Sequence, residues 1–257
     1  MKEAAKLSQT LPMLRASFRM MLRSRGVIYA MVSTPVMIVA FGLMGDLGFG
    51  FGTQSVDFFD FVLPGMAAFL AIYTLQDTVV AVAASYKARG VLRRLAVTPV
   101  SPAVIIGSQI LSYVVLGLVA SALAFVVGGL VGASLAVGPN LMWLIPIIAI
   151  AVLTALSISF TIAGLTPNPQ TANIVGASLV LPLFALTGVI LPVEAMPPPL
   201  PDIVPYALPY TALIEAIRGI ALTGASVTAY GELVLVGLAW LVALFVVATR
   251  AYRFTEE

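Results

Sequence analysis

Few side chains in this chain are equipped for chemistry. Its 257 residues include no histidine and no cysteine. That excludes histidine acid–base catalysis or proton relay, imidazole-built haem or zinc sites, disulfides and thiolate nucleophiles. The only lysines are Lys2, Lys6 and Lys87. None follows a glycine, so there is no G-x-x-x-x-G-K-[ST] loop to cradle ATP phosphates. No G-x-S-x-G elbow and no metal-ligand pair occurs. Three groups remain. Asp77 stands within an otherwise apolar run, Glu215 and Arg218 lie three residues apart, and Tyr86, Lys87, Arg89, Gly90, Arg93 and Arg94 form a compact basic stretch. None is a catalytic constellation, so the chain is not expected to be an enzyme and carries no cofactor of its own.

The elements that must hold these residues follow from composition. Hydrophobic residues make up 61% of the chain and charged residues only 9%, with a mean hydropathy of +1.09. A soluble domain carries about a quarter charged residues, so a soluble globular enzyme is excluded. The net charge of +2 gives no general affinity for nucleic acid. Long apolar runs predict six membrane spans, at Val27–Met44, Phe61–Ser85, Ala103–Gly128, Leu141–Leu165, Thr171–Leu191 and Leu233–Thr249. They are too long for transmembrane strands and show no alternation, so the expected class is an all-α polytopic membrane protein forming one domain over 1–257. Pro35, Pro64, Pro146 and Pro182 fall in or at the ends of four spans. A bundle tolerates such kinks because neighbours satisfy the freed carbonyls.

The connecting segments set the orientation. Residues 1–26 carry Lys2, Lys6, Arg15, Arg19, Arg23 and Arg25; the loop after the second span carries Lys87, Arg89, Arg93 and Arg94; the C-terminal tail carries Arg250 and Arg253. The loops of the opposite side hold one base, Arg218, beside Asp46, Asp57, Asp60, Glu194, Asp202 and Glu215. Positive charge marks the cytoplasmic side, so both termini are expected in the cytoplasm.

Two segments are predicted not to span. Within residues 1–26, Leu7, Leu11, Leu14, Phe18 and Leu22 recur every three or four positions, while Arg15, Arg19 and Arg23 step along another face. This periodicity predicts an interfacial helix against anionic headgroups. Residues 192–231 are apolar, yet seven of the 17 prolines lie between Pro192 and Pro209. The segment therefore reads as two short helices dipping back from the outer surface, with Glu215 and Arg218 able to pair on the second. Asp77 sits roughly 12 Å above the cytoplasmic end of its span at 1.5 Å per residue. An intramembrane acid is a functional candidate by default. Within Thr74–Thr78 it also belongs to a polar patch that can bond across a helix interface.

Two motifs resemble those of type-2 ABC exporter permeases. Tyr86–Pro102, YKARGVLRRLAVTPVSP, is similar to the family's loop between spans two and three, where a charged stretch, a glycine, a helical turn and L-x-V-T-P-x-S-P precede the third span. Gly188–Pro197, GVILPVEAMP, followed by Pro209-Tyr210 and Glu215–Gly219, is similar to its segment before the last span. Where the family carries acids around the loop glycine, this chain carries Lys87, Arg89, Arg93 and Arg94.

The resemblance implies a six-span half-transporter that pairs with a second permease copy and two separate ATP-binding cassette subunits, which hold ATP and Mg. Residues 86–97 would be the coupling helix on the ATPase, with Tyr86, Lys87, Arg89, Gly90, Arg93 and Arg94 as its contacts. The N-terminal helix would lie on the cytoplasmic face, and Glu215 and Arg218 would stand near an outer gate. A drug or lipid-like substrate would leave along the permease interface across the cell membrane. The rival reading is a secondary transporter coupled to an ion through Asp77. It predicts matching interrupted helices in two halves, and no such match appears in the sequence.

Overall fold

The computed structural model describes residues 25–46, 57–90 and 102–252. The expected interfacial helix and the basic residues Arg93 and Arg94 lie outside the described residues. All regular structure among the described residues is helical. Arg25–Asp46 is α1, Phe58–Ala88 is α2, Pro102–Val131 is α3, Leu144–Leu165 is α4 and Pro169–Leu186 is α5. Two short helices follow, α6 at Leu200–Ala207 and α7 at Thr211–Thr223, and Gly231–Ala251 is α8. Among the described residues, five helical stretches are long and apolar enough to cross a membrane: Phe58–Ala88, Ile106–Val131, Pro139–Leu165, Pro169–Leu186 and Val227–Ala251. In α1 the apolar stretch is the shorter Val32–Met44. The chain is an all-α polytopic membrane protein.

The helix ends have local causes. At the start of α5, the Asn168 side chain accepts a hydrogen bond from the Thr171 amide at 2.8 Å, and Pro169 takes the first helical position, where a missing N–H costs nothing. The fifth run was expected to reach Leu191, but α5 stops at Leu186 because Gly188 turns the backbone left-handed at φ +74°. A similar left-handed Gly224 closes α7. The hydroxyls within α4 stay satisfied in apolar surroundings by folding back onto their own helix. Thr154, Ser157, Ser159 and Thr161 each donate to the carbonyl four residues earlier, at 2.8–2.9 Å.

At the centre stands α2, packed against α1, α3, α4, α5 and α7. Its most apolar window is 82% buried, against 12% for α5 and 11% for α8. Lipid is as apolar as a leucine side chain, so such helices hold together by close van der Waals fit rather than by hydrophobic exclusion. Small residues provide the fit. A Cβ on Gly117 of α3 would come within 2.7 Å of Val152 on α4 and 2.9 Å of Leu75 on α2. Ala67 of α2 is fully buried, and its carbonyl accepts a hydrogen bond from Ser121 of α3 at 3.0 Å.

Polar ties mark the two ends of the bundle. At one end Asp60 accepts from the Ser134 amide at 2.7 Å, the Ala136 amide donates to Ala221 at 2.9 Å, and Asn140 donates to the Gly224 carbonyl at 2.7 Å. At the other end Lys87 and Tyr252 join α2 to α4 and α8.

Candidate functional site

Arg218 is the most heavily engaged charge among the described residues. It lies on α7, and its side chain is only 8% exposed. Nε donates to the Phe61 carbonyl at 3.0 Å, and one terminal nitrogen donates to the Gly188 carbonyl and, at 3.4 Å, to that of Val189. The guanidinium also lies over the Phe61 ring, 3.8 Å from its centroid, a favourable cation–π placement. One side chain thus joins α7 to the start of α2 and to the break after α5. The left-handed turn at Gly188 exposes the carbonyls that receive it. The adjacent Gly65 keeps the approach open, since a Cβ there would lie 3.1 Å from the Arg218 guanidinium.

Glu215 lies one helical turn earlier, and the two charges feel each other without an ion pair between them among the described residues. Burial lowers the Arg218 guanidinium from its ordinary value to about 10, with the carboxylates of Glu215 and Glu194 acting the other way. It therefore stays cationic at neutral pH. Burial also raises the Glu215 carboxyl above its ordinary 4.5, Glu194 adds to the rise and Arg218 opposes it. The spacing of Glu215 and Arg218 identified the helical face; the hydrogen-bond partners of Arg218 are backbone atoms that no sequence motif names.

The N-terminal end of α7 reaches further along α2. Tyr210 is fully buried, and its hydroxyl donates to the Gln76 side chain at 3.3 Å. The Ser159 hydroxyl of α4 reaches the Gln76 carbonyl, also at 3.3 Å. Gln76 and Phe61 are roughly 20 Å apart along α2 at 1.5 Å per residue. So α7 runs antiparallel to α2, from the level of Gln76 back to that of Phe61. Outside it, α6 is fastened to α8, where Trp240 donates to the Tyr206 carbonyl at 2.9 Å. The polar patch at Thr74–Thr78 therefore does bond across helices, through Gln76. Asp77 belongs to α2, and its side chain lies outside the described residues.

At the opposite end, Tyr86 and Lys87 stand in the last turn of α2, followed by Arg89 and Gly90. Gly90 adopts φ +61° and its amide returns to the Lys87 carbonyl at 3.2 Å, which ends the helix. The expected coupling helix of 86–97 thus begins as the end of a span, and Arg93 and Arg94 lie outside the described residues. The Tyr86 hydroxyl accepts from Gln109 of α3 at 3.4 Å. The Lys87 ammonium turns onto α4, donating to the carbonyls of Gly164, Thr166 at 3.3 Å and Ala163 at 3.5 Å. Arg89 remains exposed.

A cavity of about 920 Å³ lies between α3, α4 and α8, walled by residues such as Ile110, Leu156, Phe160, Leu241 and Phe245, with Tyr252 at one end. Among the described residues no charged side chain lines it. Its chemistry suits an apolar or amphipathic molecule. No sequence motif announced it, because its walls come from three separate apolar helices whose residues differ little from lipid-facing ones.

These features meet one family comparison. None of the curated proteins matches the chain. The family model described as ABC-2 type transporter matches residues 8–222, well over half of the sequence, from the basic N-terminal stretch through α7. With a helical membrane bundle, a basic loop after α2 and the α6–α7 segment before the last helix, the chain belongs to the ABC-2 type transporter family.

Proposed function

We propose that the chain is the permease subunit of an ATP-driven exporter in the cell membrane. It works as half of a permease pair, with a second copy or a paralogue, and takes its energy from two separate ATP-binding cassette subunits that hold ATP and Mg. The family match over residues 8–222 carries this reading, because the chain itself has no phosphate-binding loop. The cytoplasmic side holds both termini, the interfacial helix of residues 1–26, in contact with membrane lipid, and the segment 86–97, whose part beyond the end of α2 meets the ATPase. A six-span bundle is supported by adding α1, with its shorter apolar stretch, to the five long apolar helices of the described residues. The antiparallel course of α7 along α2 supports an outer re-entrant segment over 192–231, with Arg218 and Glu215 near the outer gate.

The substrate class is amphipathic or lipid-like, including apolar drugs. Support comes from the uncharged cavity between α3, α4 and α8 and from the apolar outer faces of α5 and α8. Co-expression with tagged ATP-binding cassette subunits should yield a complex. Inside-out vesicles carrying it should take up an amphipathic dye in an ATP-dependent manner. Failure of the complex to form, or uptake that follows an ion gradient and ignores ATP, would overturn the reading in favour of ion coupling through Asp77.

A further inference from the structure

At the cytoplasmic end of the bundle, three helix ends meet around one cation. The last carbonyls of an α-helix have no partner within it, and they form the negative end of its dipole. In α4 these carbonyls face the Lys87 ammonium of α2, which donates to the oxygens of Ala163, Gly164 and Thr166 together. On the other side of the same turn, α8 packs so closely on Gly164 that a Cβ there would stand 2.5 Å from the Ala251 carbonyl oxygen. The next residue closes the ring of contacts. The Tyr252 hydroxyl donates to the Ala83 carbonyl of α2 at 2.8 Å, and its ring meets Phe160 of α4 edge-on at 5.3 Å. So α2 grips the end of α4, α4 seats the end of α8, and α8 returns to α2.

The position of this knot matters more than its strength. Lys87 is three residues before Gly90, where α2 gives way to the loop. A displacement of that loop acts first on the last turn of α2, and Lys87 passes it sideways to α4 without any bend in α2. An exposed basic residue beside a docking loop would ordinarily be read as a partner contact. Here the ammonium is committed to three backbone oxygens of its own chain, and Arg89 is the exposed base that remains beside it.

We infer that Lys87 is a positioning residue: it links the cytoplasmic loop to the α4–α8 pair, so that loop movement shifts both helices as one body, and it is not a contact for the ATPase. The inference rests on the permease reading for the source of the movement, while the link itself is a property of this chain alone.

The native chain has no cysteine, so a single Leu165→Cys on the exposed last residue of α4 accepts one spin label. Label mobility is measured in nanodiscs for the otherwise native chain, for Lys87→Met and for Lys87→Arg. It is measured alone, and then with ATP-binding cassette subunits before and after trapping with ATP and vanadate. We expect Lys87→Met to keep subunit binding and ATP turnover, to loosen the label in the chain alone, and to lose the change in label mobility on trapping. Lys87→Arg should restore that change, since a guanidinium can still donate to the carbonyls.

A wild-type response in Lys87→Met overturns the inference. So does loss of subunit binding, which would make Lys87 a docking contact. If Lys87→Met does not give monodisperse protein, Tyr252→Phe removes the hydroxyl bond to Ala83 and keeps the ring. That variant should bind the subunit and show a weaker response, and an undiminished one overturns the inference. If the native chain captures no ATP-binding subunit, the permease reading fails by itself. The link is then judged on the chain alone, where equal label mobility in Lys87→Met and native protein overturns it.

Discussion

Replacing Arg218 by methionine would strand the carbonyls of Phe61, Gly188 and Val189 in a buried site. Hydrogen bonds from a charged donor each contribute about 1.5–3 kcal/mol, so Arg218→Met should cost about 3 kcal/mol or more. The loss would appear as a lower thermal midpoint in detergent. Arg218→Lys should recover only part of it, because one ammonium cannot reproduce the fork that spans two segments. Glu215 should show its burial through pH. Its raised folded value means the native state holds the proton more tightly than the unfolded chain does. Below the ordinary 4.5 both states are protonated and nothing is lost. As pH rises through that value, the unfolded chain ionises first and stability falls until the raised folded value is passed. Glu215→Gln should lack this fall, gaining on the native chain at neutral pH and matching it in acid when melting is followed across that range. Sequence reading found both residues, since two charges in an apolar segment stand out. It could not find their partners: Phe61 is 157 positions from Arg218 and contributes only a backbone oxygen.

Among the elements, the spans were the most legible feature, because twenty or so uncharged apolar residues have few other stable fates. Their ends were less so. Charged residues do not stop a helix, and α2 runs past Asp60 at one end and Lys87 at the other. Nor does apolarity sustain one, since α5 stops five residues before its apolar run does. Spacing motifs suffer from the same ambiguity. Gly128 and Gly132 have the separation of a helix-packing pair, but Gly132 lies beyond α3 at φ +113°. Only Gly128 packs, with Leu63 of α2 where its Cβ would be. Leu63 is fully buried, so moving it aside displaces its own neighbours. Gly128→Ala should therefore cost about 1–3 kcal/mol by overpacking. Its exposed neighbour has nothing within 4 Å of a Cβ, so Gly129→Ala should be neutral or gain about 0.5 kcal/mol from reduced backbone freedom. Parallel melting curves for the two variants check this.

At the scale of the molecule, the polar ties sort into two ends that agree with the charge bias of the loops. Ser226, before α8, and Val137, before α4, belong to the end held by Asn140 and Gly224, while Ala88 belongs to the end held by Lys87. Single cysteines at Ser226 and Val137 should react with an impermeant maleimide in intact cells, and one at Ala88 should react only after lysis. Labelling of Ala88 in sealed cells would reverse the orientation. The bias toward one side was readable because it sums over twelve charges, whereas the α3–α4–α8 cavity depends on how three similar helices happen to fit. The central place of α2 has a further consequence during synthesis. It leaves the ribosome before α4 and α7 exist, yet its finished form is sheathed by them and carries Gln76 buried between Ser159 and Tyr210. Its hydropathy, 1.7, is also well below the 2.4–2.6 of the windows in α3, α4 and α8. The nascent α2 must wait in the bilayer with its amide unsheathed until more than 130 further residues have been made, so this mast of the bundle is inserted long before its own packing is complete.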